Sequence, residues 1–185
     1  MKTRCFWVND SQRYIEYHDK EWGEPVFDDA TLFEFLILET FQAGLSWITI
    51  LNKRENFRIA FDNFDYTKIA KYSESKYASL LQDAGIIRNK LKIKSAITNA
   101  QLFMEIQKDF GSFSNFIWAF VQGKPIRNKF HKREEVPATT TLSNTISKDL
   151  KKRGFKFVGS TVIYAYMQAV GMVNDHTTDC FKYHK

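Results

Sequence analysis

Apolar residues recur at intervals of three and four through most of the chain, and no clean two-residue alternation of strand length interrupts them. The repeat opens at Asp29, where Leu32, Phe33, Leu36 and Ile37 share a helical face that Asp28 or Asp29 can cap. A second helix is predicted from Ser46 through Ile48, Ile50 and Leu51 to Phe57 and Phe61. Asp65-Tyr66-Thr67 starts a short third helix, and Ser73-Glu74-Ser75 leads a fourth through Leu80 and Leu81 to a stop at Ala84-Gly85. Asn89 to Phe110 reads as one long helix closed by Gly111-Ser112. Ser114 to Val121, Ser143 to Lys152 and Ser160 to Val170 complete the set. Gly123 to Thr141 holds two of the three prolines and many charges, which predicts a loop. The expectation is an all-α protein of about eight to ten helices with short connections and no internal repeat.

The first 30 residues read as irregular, yet they carry Trp7, Tyr14, Tyr17, His18 and Trp22. Rings of that size are not left in water cheaply, so this segment must pack on the helices or be pinned to them. The last residues, Asn174 to Lys185, are short and polar.

A length of 185 residues allows one domain or two small lobes sharing a core. Aromatic residues make up an unusual 16% of the chain, including 17 Phe and 4 Trp, and many of these must be core. Any surplus can also serve surfaces that stack on flat ligands such as nucleobases. The net charge of +6 favours a polyanionic partner, nucleic acid above all. Cations gather at Arg88–Lys94, Lys124–Arg133 and Lys148–Lys156. No run of 18 apolar residues predicts a membrane span, and the start has no apolar signal core, so a cytoplasmic protein with reduced cysteines is expected.

Candidate chemistry begins at Glu39-Thr40-Phe41-Gln42-Ala43-Gly44-Leu45-Ser46-Trp47. Helical spacing puts Glu39 on the side of Phe35 and Leu36, an apolar side. Its carboxylate either reaches solvent at the edge of that stripe or sits in a pocket beside Trp47, where it would accept hydrogen bonds from a ligand.

Two cysteines and four histidines offer a metal set. Cys5 and His18 lie near one end. His176 and Cys180 lie near the other, four apart, a spacing that would let one helix turn present both. Together they have the Cys2His2 composition of structural zinc. Spacing alone leaves open two free thiols with ordinary histidines, since the ligands match no compact motif. His131 and His184 look solvated. The turn Lys151 to Thr161, bounded by glycines and joining two helices, either grips a phosphate with backbone N–H groups or is an interhelix turn with a solvated basic face.

Seven segments then converge on one family. Cys5-Phe6-Trp7, Tyr17 to Gly23, Gln42 to Trp47, Lys53-Arg54-Glu55, Asp83 to Arg88, Lys151 to Gly159 and Asn174-Asp175-His176 together resemble, in order and over essentially the whole chain, 3-methyladenine DNA glycosylase I. The resemblance implies a helix-hairpin-helix glycosylase fold of two α-lobes forming one catalytic unit over residues 1–185. It implies removal of 3-methyladenine from alkylated double-stranded DNA, leaving an abasic site; a monomer is expected because no stretch reads as an oligomerisation helix. Carried onto this chain, the structural zinc ligands are Cys5, His18, His176 and Cys180. The base pocket is Trp7, Trp22 and Trp47, with Glu39 and Tyr17 in the catalytic roles. Leu45 is the wedge into the duplex, and Gly154, Lys156, Gly159 and Ser160 hold DNA through the hairpin.

The relatives that also nick DNA use a Lys shortly after the hairpin; Ser160 and Thr161 stand there, so a monofunctional enzyme is expected. Many hairpin glycosylases use a downstream Asp. Here that would be Asp175, which beside His176 is expected to orient the metal site instead. Phe6 and the segment Arg127–Pro137 depart from the family pattern. A DNA-binding module without chemistry and a zinc-stabilised interaction domain are the alternatives from other classes.

Overall fold

The computed structural model describes residues 2–183; His184, expected to be solvated, lies outside them. Nine α-helices are present among the described residues: α1 (Gln12–Lys20), α2 (Asp29–Gln42), α3 (Trp47–Ala60), α4 (Tyr66–Ile69), α5 (Glu74–Gln82), α6 (Lys90–Phe110), α7 (Phe113–Ala119), α8 (Thr141–Lys152) and α9 (Ser160–Ala169).

The centre of the fold is α2. Its residues from Leu32 to Phe41, Glu34 aside, are buried, as for a helix surrounded on all sides. It packs against α3, α6, α7 and α9. Asp28 caps it by accepting from the Thr31 amide at 2.9 Å. Asp29 does something the local sequence does not announce. Its carboxylate accepts the Phe113 and Ser114 amides at 2.9 and 2.8 Å, capping α7 from 84 residues away. Asp65, Ser73 and Asn89 cap their helices as the sequence predicts. α8 starts at Thr141, two residues earlier than expected, because Thr140 and Ser143 form a reciprocal capping box.

The N-terminal segment is not irregular throughout. α1 forms there because Tyr14, Tyr17 and His18, spaced three and four apart, give it a ring-bearing face, and it packs on α3. The 123–141 loop contains a strand, β1 (Ile126–Arg127), parallel to β2 (Val173–Asn174). Two residues are too few to show a period. A 3-10 turn, Arg133–Glu135, follows. Beyond β2 the chain turns without a helix, so His176 and Cys180 do not share a helical face; Cys180 N–H closes a turn onto the Thr177 carbonyl.

The two ends of the chain meet at Gly171. Its φ is +70°, and a Cβ there would lie 2.4 Å from the Glu24 carbonyl carbon. This backbone crossing brings residues 22–25 against the chain leading to His176. Near it, the Val26 and Gly23 amides bond the Val170 and Gln168 carbonyls.

Candidate active site and metal cluster

Four helices, α1, α2, α3 and α9, converge on a cavity of about 260 Å³. Its lining includes Trp7, Tyr17, Trp22, Glu39 and Trp47, five residues from four stretches of sequence. Glu39 is supplied by α2 near its C-terminal end, and Trp47 is the first residue of α3. The turn between them, Ala43 to Ser46, contains Gly44 at φ +80° with open space where a Cβ would lie, so conformation rather than crowding requires glycine. Leu45 stands out from this turn, 40% exposed.

Glu39 is 3% exposed, which decides between the two sequence readings in favour of a buried pocket carboxylate. Burial alone pushes its carboxyl up to about 8; no neighbouring cation offsets it. Three buried polar atoms have no hydrogen-bond partner among the described residues: Glu39 Oε2, Trp7 Nε1 and Trp47 Nε1. Each such atom costs about 1–3 kcal/mol, and all three line one cavity. A pocket with unmet donors, an unmet acceptor and aromatic walls is built for a flat polar ligand. Tyr17 meets Trp47 at 5.4 Å between ring centroids and Trp7 at 6.2 Å. Burial holds the Tyr17 phenol well above its usual range, so it remains a hydroxyl.

The metal candidates come together behind this wall. Cys5, His18, His176 and Cys180 are all buried, with ligand atoms within 4.8 Å of one another. Cys5 Sγ and Cys180 Sγ lie 3.4 and 3.5 Å from His176 Nδ1, and Cys180 Sγ lies 3.4 Å from His18 Nε2. Tetrahedral bonds of about 2.0–2.3 Å give edges of about 3.3–3.8 Å, so the donor set fits a four-coordinate metal. Each imidazole is oriented through its other nitrogen. His18 Nδ1 donates to Asp19 at 2.8 Å, and His176 Nε2 donates to the Trp22 carbonyl at 3.1 Å. The Arg4 hydrogen bonds to Asp19, with that of His18, hold its carboxyl down to about 2.

The second expected surface is the turn between α8 and α9. Phe155 and Val158 are buried and anchor it, while Lys156 is exposed. Gly154 takes φ +103°. Gly159 precedes α9 and has no side chain to cap the first N–H groups of the helix. Arg153 is not part of this basic surface. It bonds Asp149 at 2.6 Å and lies over the rings of Phe110 and Phe116.

Residues 7–183 match the methyladenine glycosylase family. The chain belongs to that family. It is similar to a DNA-3-methyladenine glycosylase of Haemophilus influenzae, 49% identical over 97% of both chains. It is similar in structure to a crystal structure of 3-methyladenine DNA glycosylase I, with TM-score 0.95, 48% identity and coverage of 98% of this chain and 100% of that one. The 3-methyladenine DNA glycosylase I of Staphylococcus aureus, solved for its recognition of 3-methyladenine, is 34% identical, with TM-score 0.93 and coverage of 96% and 95%.

Within this methyladenine glycosylase, every residue expected at the pocket lines it, and the four expected metal ligands form one cluster. Leu45 lies on an exposed turn and Lys156 is the exposed residue of the hairpin; both lie outside that cavity. One expectation is corrected. Asp175 does not orient a metal ligand. It lines the pocket and accepts from Asn128, Tyr164 and Gln168 at 2.7, 2.6 and 2.8 Å; the orienting carboxylate is Asp19. Sequence reasoning also missed Phe6, Tyr14, Gln42, Val136, Ala165 and Gln168 in the lining. Gln42 was detectable as the residue one helical turn beyond Glu39. Val136 was not, because it reaches the pocket from the loop that departs from the family pattern.

Proposed function

We propose that this chain flips alkylated adenine out of duplex DNA and hydrolyses the bond between 3-methyladenine and deoxyribose, leaving an abasic site. The observation that carries this reading is the buried, unpartnered Glu39 carboxyl in an aromatic pocket that contains no cation to balance it. A base methylated at N3 brings the missing positive charge. Extrusion is needed because the glycosidic bond is hidden in a stacked duplex.

Once in the pocket, the cationic ring stacks on Trp47, with about 0.5–2 kcal/mol available from each good cation–aromatic contact. Glu39 accepts hydrogen bonds from the amino edge, ionised by the partner it lacked, and Tyr17 completes the contacts to that edge. The C1′–N9 bond then breaks with its electron pair leaving on the base, which departs neutral. Water adds to C1′ and loses a proton. Unmodified adenine is a poor leaving group without prior protonation, and no strong general acid is required in a pocket selecting a base that is already charged. Trp7 and Trp22 form the rest of the aromatic wall. Leu45 fills the space beside the extruded nucleotide, and the hairpin at Gly154, Lys156, Gly159 and Ser160 holds a phosphate. Ser160 and Thr161 offer no amine for a Schiff base, so strand cleavage does not accompany base release.

Zn²⁺ is the proposed metal of the Cys5, His18, His176 and Cys180 set, where it supplies a structural cross-link between the chain ends. Four protein ligands leave no position for a reacting water. The enzyme is proposed to act as a cytoplasmic monomer of two lobes. The test is release of 3-methyladenine from methylated duplex DNA, with Glu39→Gln alongside. Release by the wild type with strong loss in the variant supports the reading; binding without release by folded, zinc-loaded protein would instead favour a damage-binding module.

A further inference from the structure

Of the buried polar side chains on helix α6, Lys92, Ser95 and Asn99, the first and last are seven residues apart, therefore on one face and about 10 Å apart along the axis. Lys92 is 6% exposed. Its ammonium donates to two backbone carbonyls, Phe41 at 2.8 Å and Ala43 at 2.5 Å. These are the carbonyls at the C-terminal end of α2, where the helix dipole is negative and no backbone partner remains. Ala43 is followed at once by Gly44 and the exposed Leu45. The cost of burying an ammonium is visible in the depressed Lys92 pKa, which desolvation causes. A neutral apolar side chain of the same volume would avoid that cost but leave both carbonyls without their donor.

Asn99 is fully buried. Its Nδ2 donates to the Lys156 carbonyl at 3.0 Å, and its Oδ1 accepts the Lys156 amide at 2.9 Å. One side chain thus satisfies both main-chain groups of the residue at the tip of the hairpin. The next residue, Phe157, has φ +57°, a conformation a bulky residue adopts only when its surroundings impose it. Ser147 Oγ holds the following carbonyl, that of Val158, at 2.6 Å.

We propose that Lys92 and Asn99 are positioning residues, and that α6 is a rigid spacer fixing the distance between the Leu45 turn and the 154–159 hairpin so that wedge and phosphate anchor engage one duplex together. The inference rests on the proposed role of those two turns as DNA contacts. Neither residue lines the base pocket. Their effect is therefore on DNA engagement and base extrusion, not on recognition of the free base.

The experiment compares Lys92→Met, Lys92→Arg, Asn99→Ala and Asn99→Asp with wild type and with the direct-contact controls Leu45→Ala and Lys156→Ala. Four readouts are taken: melting temperature, binding of free 3-methyladenine by tryptophan fluorescence, kcat and KM on a lesion duplex, and extrusion reported by 2-aminopurine beside the lesion. Lys92→Met is expected to lower kcat and the extrusion signal by about tenfold or more, with free-base binding within about twofold of wild type. Lys92→Arg, which keeps donors for the two carbonyls, is expected to recover much of the loss. Asn99→Ala is expected to raise KM by about tenfold with kcat little changed, and Asn99→Asp to fall between. Loss of free-base binding in step with melting temperature would overturn the proposal, as would unchanged kinetics in the Lys92 and Asn99 variants while the controls lose activity. Unchanged controls would overturn the assignment of the two turns as DNA contacts, and the spacer with it. Absence of base release by wild type would overturn the functional reading itself.

Discussion

Trp22 and His176 are joined twice. The rings meet edge-on with centroids 4.7 Å apart, and His176 Nε2 donates to the Trp22 carbonyl at 3.1 Å. Trp22 also meets Trp7 at 5.1 Å, and both line the pocket. The metal cluster and the base pocket are therefore two faces of one aromatic wall, and disturbing either should be read at the other.

Metal removal is the direct test. Without a metal, two thiols and two imidazoles are left buried around unmet ligand atoms, and the ends of the chain lose their cross-link. Chelation, or His18→Ala, is expected to lower the melting temperature by about 2–4 °C for each kcal/mol lost in a chain of this size. Binding of free 3-methyladenine should weaken in parallel, because Trp7 and Trp22 loosen. Calorimetry and fluorescence titration on metal-free protein check both; unchanged base binding would separate the two sites.

Glu39→Gln should trade function for stability. The folded-state pKa of about 8 lies above the unfolded value of 4.5, so the folded protein retains a proton that the unfolded chain releases. Stability from this group is full below the unfolded pKa and is lost as pH rises toward 8. The amide removes that dependence. The variant is expected to melt close to wild type at about pH 4.5 and higher than wild type near pH 8, while base release falls sharply. Melting curves across this range decide it.

Trp47→Ala should cost about 1–3 kcal/mol of base affinity, the usual contribution of a stacking ring. Isothermal titration with free 3-methyladenine measures it. Trp47→Phe, which keeps a smaller ring, should lose less.

Lys156→Ala should weaken binding to lesion and undamaged duplex alike and reduce the salt slope of log K by about 0.9, the value for one phosphate contact. A loss confined to the lesion duplex would place Lys156 in damage recognition instead.

Asp175→Asn tests the corrected assignment. An amide cannot accept from Asn128, Tyr164 and Gln168 with both of its atoms, so at least one donor faces an NH2 group, at a cost of about 1–3 kcal/mol. Zinc content by elemental analysis should stay at the wild-type level while base binding weakens. Lost zinc with intact base binding would return Asp175 to the metal site.

What the sequence by itself determined is what short-range chemistry encodes. Three- and four-residue spacing placed eight of the nine helices, and Asp28, Asp65, Ser73 and Asn89 announced helix starts because a cap and the amides it meets lie within three residues. α1 escaped because its face is built of Tyr14, Tyr17 and His18 rather than aliphatic residues. The identity of the pocket and metal residues was legible through their resemblance to a family, not through spacing. Tertiary structure alone decided the rest. Periodicity put Glu39 on an apolar side but left open whether that side ended in water; packing of α2 against α3 and α9 closed it. Asp175 sits beside a metal ligand in sequence, yet the parallel pairing of β1 with β2 brings Asn128 to it and its acceptors face the pocket. Asp29, Lys92 and Asn99 meet partners about fifty to eighty-five residues away. No local pattern marks such residues, because a buried polar side chain is selected by the groups that folding brings to it.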